Sequence, residues 1–242
     1  MNNLLKKSGW LVVGALALGF SAKAGVLFQN NTTDLATRFS DGSLEFGNQI
    51  FLNSYAGSYI TNFSFEYYGI GGGAGGAFSG NNVTVDVRWY LNNGPNNASG
   101  FATPGTKVYD SGPNQIFPTT RATLDFSTTT GDFPTRPAPG TNGWLVTSPQ
   151  LTFTVQFAGM GAGDNVGVDL YSPPTVGSMY TDYWQNNGTA ANPSWVLLED
   201  ASVNVDMGQV WMGTAVPEPS TLALSLVGGL GLLVAVRRFR NR

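Results

Sequence analysis

The chain has 242 residues, with no cysteine, no histidine, 32 glycines and a formal net charge of −3. That inventory excludes disulfide scaffolds, zinc held by Cys or His, cysteine nucleophiles and any Ser-His-Asp triad. The charge is unevenly spread: residues 25–215 carry five basic residues (Arg38, Arg88, Lys107, Arg121, Arg136) against fourteen acidic ones, a net −9, which makes nucleic acid an unexpected partner.

Taken in order, the chain opens with Lys6 and Lys7, an apolar core from Trp10 to Phe20, and Ala22-Lys23-Ala24, the small-x-small arrangement of a signal-peptidase site. The pattern predicts a secretory signal over residues 1–24, with Ala22 and Ala24 marking the cut and Gly25 as the new N-terminus. Its apolar core is too short for a stable membrane span.

Residues 25–215 read as β almost throughout. Val83, Val85, Val87, Trp89 and Leu91 alternate with Thr84, Asp86, Arg88 and Tyr90; Leu151, Phe153, Val155 and Phe157 alternate with Thr152, Thr154 and Gln156. Period-two alternation of this kind predicts half-buried strands. Ile60–Tyr68 repeats the pattern, and shorter runs follow at 107–109, 122–126, 166–171, 195–198 and 203–205. Turn chemistry punctuates them at Asn92-Asn93-Gly94-Pro95, Asp110-Ser111-Gly112-Pro113, Gly161-Ala162-Gly163-Asp164 and Ser172-Pro173-Pro174. Long irregular connections are expected at 69–82 and 128–142. Many short strands without helical periodicity predict one antiparallel, jelly-roll-like β-sandwich domain.

Four patterns in this domain bear on function. Gly71-x-Gly73-x-x-Gly76 has the spacing of a dinucleotide fingerprint but opens no helix and has no βαβ unit around it, so a flexible loop is expected. Gly161-Ala162-Gly163-Asp164, with Asp169 and Asp182, could offer oxygens to calcium, although a hard cation needs six to eight around one point. Glu45, Glu66 and Glu199 are the candidate acids of a carboxylate glycosidase, a chemistry that requires two such groups across a cleft. Tyr171, Tyr180, Tyr183 and Trp184 crowd a turn-rich segment, where flat rings beside amides suit the faces and hydroxyls of sugars.

The last 27 residues, 216–242, hold three features in a fixed order. Val216 to Thr221 includes Pro217, Glu218 and Pro219, whose prolines enforce an extended strip. Leu222 to Val236 is uncharged and as a helix would rise roughly 22 Å, short of the ~30 Å hydrocarbon slab. Arg237, Arg238, Arg240 and Arg242 follow, long cations that can reach headgroup level and hold this end in the cytoplasm.

This order resembles the PEP-CTERM sorting signal of Gram-negative-type bacteria. The resemblance implies an exported precursor anchored by a short transmembrane helix and processed near Pro217-Glu218-Pro219 by an exosortase, then displayed at the cell surface or released. Signal peptidase and exosortase are the implied partners, with exopolysaccharide a further one. The expectation is a non-enzymatic surface or matrix protein without a cofactor. A carbohydrate-binding or calcium-dependent adhesive module is the alternative, and a glycosidase the third.

Overall fold

The computed structural model describes residues 24–53, 58–129, 131–132, 143–189, 191–199 and 204–214. The predicted signal segment before Ala24, the sorting residues Pro217, Glu218 and Pro219, the predicted helix and the terminal arginines lie outside the described residues, as do Arg136 and Asp200. No helix among the described residues is long and apolar enough to cross a membrane.

The described residues form strands β1 (Ala24–Asn30), β2 (Asp34–Phe39), β3 (Glu45–Phe51), β4 (Tyr59–Ile70), β5 (Thr84–Leu91), β6 (Lys107–Gln115) and β7 (Thr119–Ser127). There follow β8 (Trp144–Leu145), β9 (Gln150–Ala158), β10 (Asn165–Tyr171), β11 (Ser178–Met179), β12 (Tyr183–Asn186), β13 (Trp195–Leu198) and β14 (Gln209–Thr214). They build two antiparallel seven-stranded sheets. The first runs β1-β14-β4-β10-β2, with β7 and β8 pairing onto β4; the second runs β13-β12-β3-β9-β5-β6, with β11 on β3.

Alternation decides which way each sheet faces. In the second sheet Val87 pairs with Val155 and Trp89 with Phe153, so the apolar halves of β5 and β9 share one surface. In the first, Phe63 pairs with Phe126 and with Trp211. The two apolar surfaces meet: Phe63 stacks on Phe126 at 4.5 Å, takes Trp89 edge-on at 4.9 Å and lies 5.4 Å from Trp211. These rings are essentially inaccessible to solvent. Each such pair adds about 0.5–1.5 kcal/mol beyond the area it buries, so an aromatic spine joins the sheets into a β-sandwich.

Several elements depart from the sequence expectations. β3 was not expected as a strand because both of its faces are buried and its residues do not alternate in polarity. Asn48 points inward yet is satisfied: its amide donates to the Val205 carbonyl at 2.6 Å and its oxygen accepts from the Met207 N–H at 3.2 Å. The strand expected at 203–205 is corrected here: residue 203 is outside the described set and 204–205 are irregular. Core amides and loop carbonyls, with Thr181 O accepting from the Val205 N–H, replace a ladder there. Asp110-Ser111-Gly112-Pro113 is no turn between strands but part of β6, where the register against β5 slips between Asp86 and Arg88. Gly112 takes φ +64°, and an edge strand tolerates a bulge and a proline because no further strand needs their donors. β1 and β14 close the first sheet, with Gly25 opposite Gly213.

Candidate functional site

The outward face of the first sheet carries a depression of about 500 Å³ lined by Asp34, Ala36, Thr37, Arg38, Arg121 and Asp169. Strand register assembles it. Arg38 on β2 lies opposite Asp169 on β10, and Asp34 lies opposite Tyr171. Arg121 arrives from β7. Its guanidinium donates to Asp34 Oδ2 at 2.5 Å, and its Nε stands 3.5 Å from Asp169 Oδ2. Arg38 Nε stands 3.4 Å from Asp169 Oδ1.

Two tyrosines hold these cations from behind. The Arg38 guanidinium lies 5.0 Å over the Tyr68 ring and that of Arg121 lies 5.5 Å over Tyr171, a contact favoured by the ring quadrupole. Glycines make room for both rings: a Cβ on Gly167 would come within 2.8 Å of Tyr68, and one on Gly208 within 2.5 Å of Tyr171.

Electrostatics differ between the two acids. The Arg121 hydrogen bond holds the Asp34 carboxyl below its ordinary range, helped by the Ala36 N–H. Burial pushes Asp169 upward against the opposing pull of Arg121 and Arg38. Asp169 is 1 % exposed, and its Oδ2 has no hydrogen-bond partner. Beside it, Ala36 takes φ +52°, a left-handed conformation uncommon for a residue with a Cβ. The site thus offers fixed donors and an acceptor with unused capacity.

The four aromatic candidates do not form one surface. Tyr171, Tyr183 and Trp184 are buried at 5 %, 7 % and 1 % exposure, so their rings are not open to a sugar face. Tyr171 backs Arg121; Tyr183 packs edge-on against Phe39 at 4.8 Å; Trp184 sits opposite Gly47 in the second sheet. Tyr180 alone is exposed, and it is flanked by Phe51 at 5.2 Å and the exposed Phe101 at 6.2 Å.

The two glycine-rich patterns answer each other. Asp164 Oδ1 accepts from the N–H groups of Gly72 and Ser79, both at 2.8 Å; Oδ2 accepts from Gly80 at 2.9 Å and Gly161 at 2.8 Å. Four backbone donors form a nest for one carboxylate and hold its pKa far below the usual value despite the cost of desolvation. The loop that resembles a phosphate cradle is filled by the chain's own acid. The same contacts occupy Asp164 against calcium, and Asp169 faces two arginines instead of joining it.

The three glutamates are also separated. Glu66 is on β4 of the first sheet, accepting from Thr123 at 3.1 Å, while Glu199 follows β13 of the second. Glu45 is 2 % exposed on β3. It accepts from Tyr90 at 2.9 Å, Thr154 at 2.8 Å and Asn186 at 3.1 Å, with Arg88 Nη1 3.3 Å away. Arg88 also pairs with Asp86 and, through Nε at 3.5 Å, with Asp110. Burial pushes Asp86 up to about 6 despite that cation.

No family profile, curated protein or solved structure matches the chain. The site therefore stands on its own geometry. Sequence reasoning missed Arg38, Arg121 and Asp34, and weighed Asp169 only as a calcium ligand. A signal was present in the scarcity of cations: of the five basic residues in 25–215, the four that are described all form ion pairs.

Proposed function

We propose that the protein is a non-enzymatic, exported display protein of a Gram-negative-type bacterium. It leaves the cytoplasm through the signal segment and is sorted by a PEP-CTERM-type tail to the cell surface or its matrix. The observation that carries this reading is the order of Pro217-Glu218-Pro219, an uncharged apolar stretch and an arginine cluster over residues 216–242. Signal peptidase would act after Ala24 and an exosortase near Pro217, with the tail helix holding the precursor in the membrane. Removal of both ends is compatible with the sandwich, since a cut after Ala24 would cost the sheet the terminal Ala24–Thr214 pair and leave Gly25–Gly213 and Val26–Met212 in place. We assign its connectivity as jelly-roll-like, on the ground that the chain passes between the sheets from β3 to β4, from β4 to β5 and from β9 to β10.

Intact-mass measurement of the native protein from host cells and medium tests the proposal. A species starting at Gly25 and ending between Pro217 and Ser220 is expected. A full-length C-terminus retained in the membrane would reduce the tail to an ordinary anchor.

A second reading, a carbohydrate-binding adhesive, is favoured by the cluster of exposed Tyr180 and Phe101 with the half-buried Phe51. Exopolysaccharide of the host would be its partner. Loss of sedimentation with that polymer on Tyr180→Ala is the expected result, and unchanged sedimentation removes the cluster from consideration.

A further inference from the structure

We infer that the depression between Arg38, Arg121, Asp34 and Asp169 is a saccharide site that recognises the vicinal hydroxyls of a neutral sugar. The assignment rests on the adhesive reading of the exported domain but not on the sorting signal.

Charge balance selects the ligand class. Two guanidiniums face two carboxylates, so the site carries no net charge. A phosphate or uronate would meet Asp34 and Asp169 beside the arginines, and a metal ion would meet the arginines beside the acids. A hydroxyl avoids both conflicts because it donates and accepts together. Adjacent hydroxyls on a pyranose can therefore donate to a carboxylate oxygen and accept from a neighbouring guanidinium.

The atoms needed are in place. Asp169 Oδ2 is buried with the Arg121 Nε 3.5 Å away as its ion partner and no close hydrogen bond, which leaves it room to accept a shorter one from a ligand hydroxyl. Arg38 and Arg121 are 37 % and 41 % exposed at the side chain and line the opening. Arg38 Nη2 donates to the Thr120 carbonyl at 2.5 Å, and the guanidiniums keep further N–H groups for a ligand. Tyr68 and Tyr171 keep both guanidiniums stacked, which lowers the ordering cost on binding. Ala36 adds an exposed methyl to the same lining and holds a left-handed φ, a feature that clusters at binding sites.

Affinity electrophoresis of the full chain in mild detergent tests the assignment, with dextran, galactomannan and xylan as neutral probes and polygalacturonate and inorganic phosphate as anionic ones. Retardation by at least one neutral polymer is expected. Arg38→Ala and Asp169→Asn should each weaken it about tenfold or more, the loss expected for charge-assisted hydrogen bonds. Thr37→Trp should do the same by filling the depression without touching a charge, which covers the case in which Asp169→Asn fails to fold. Retardation by polygalacturonate alone, or competition by phosphate, overturns the neutral-sugar assignment. Loss on Tyr180→Ala with no effect of the depression variants overturns the site while leaving the adhesive reading intact. No retardation by any polymer sinks both.

Discussion

Each sheet carries an arginine and carboxylate cluster on the face turned away from the common core, yet the two clusters behave differently. On the second sheet Arg88 joins Glu45 and Asp86, Glu45 accepts from the hydroxyl of Tyr90, whose ring meets Trp195 edge-on at 5.3 Å, and Glu45 takes three hydrogen bonds besides its cation. On the first sheet the arginines are over a third exposed, and Asp169 has ion partners but an oxygen without a hydrogen bond. Both clusters keep a buried carboxylate oxygen without a hydrogen bond, Asp86 Oδ1 on the second sheet and Asp169 Oδ2 on the first. Exposure is what separates them: a covered network, with Arg88 7 % exposed, holds strands in register, and one whose arginines are open to solvent is available to a ligand. The contrast predicts that damage to the closed cluster costs stability, and damage to the open one costs recognition.

Arg88→Met should have the largest effect. It leaves Glu45 buried without its cation, a change worth about 3–5 kcal/mol, and urea unfolding should show it as a lower midpoint. Survival of the full midpoint would mean that the aromatic cover, not the ion network, secures β3, β9 and β5.

Asp164→Ala comes next and acts locally. Amide exchange at Gly72, Ser79, Gly80 and Gly161 should accelerate, because each loses its acceptor. The native carboxyl titrates far below its unfolded value of 3.8. Its contribution is therefore present above that pH and lost as pH falls, so the same amides should lose protection in strong acid.

Asp86→Asn should sharpen the comparison through pH. The native pKa of about 6 lies above the unfolded 3.8, so the folded state binds the extra proton in that window. Stability from this group is present below about 4 and declines as pH rises toward 6. The melting temperature of the variant relative to the parent should rise across that interval; a constant difference would place the proton elsewhere.

Arg121→Ala should change stability least, by about 1 kcal/mol for the exposed pair with Asp34, because the buried Asp169 keeps Arg38 at 3.4 Å as its cation. A loss comparable to that of Arg88→Met would show that both clusters serve the fold.

Much of the architecture was legible because it depends on period-two patterning. β5, β9 and β4 lie where alternation put them, since one buried face imposes one register. β3 escaped because a strand buried on both sides needs no alternation, and β12 was read as ligand chemistry because tyrosine and tryptophan serve cores and sugars alike. The candidate site was less legible. Arg38 is separated from Arg121 by most of a sheet's worth of sequence, and no local spacing announces a pair that β2, β10 and β7 bring together.

By itself the sequence determined the all-β class, the main strands and the sparse, lopsided charge, because these follow from local patterning and composition. Only the tertiary structure decided which polar groups meet: that Asp164 fills the glycine loop, that Glu45 is buried under a hydrogen bond from the Tyr90 hydroxyl, and that Asp169 lies buried with one oxygen toward each of two arginines. Strand pairing joins residues distant in the chain, and hydrogen-bond capacity is spent or left over only after that pairing is complete.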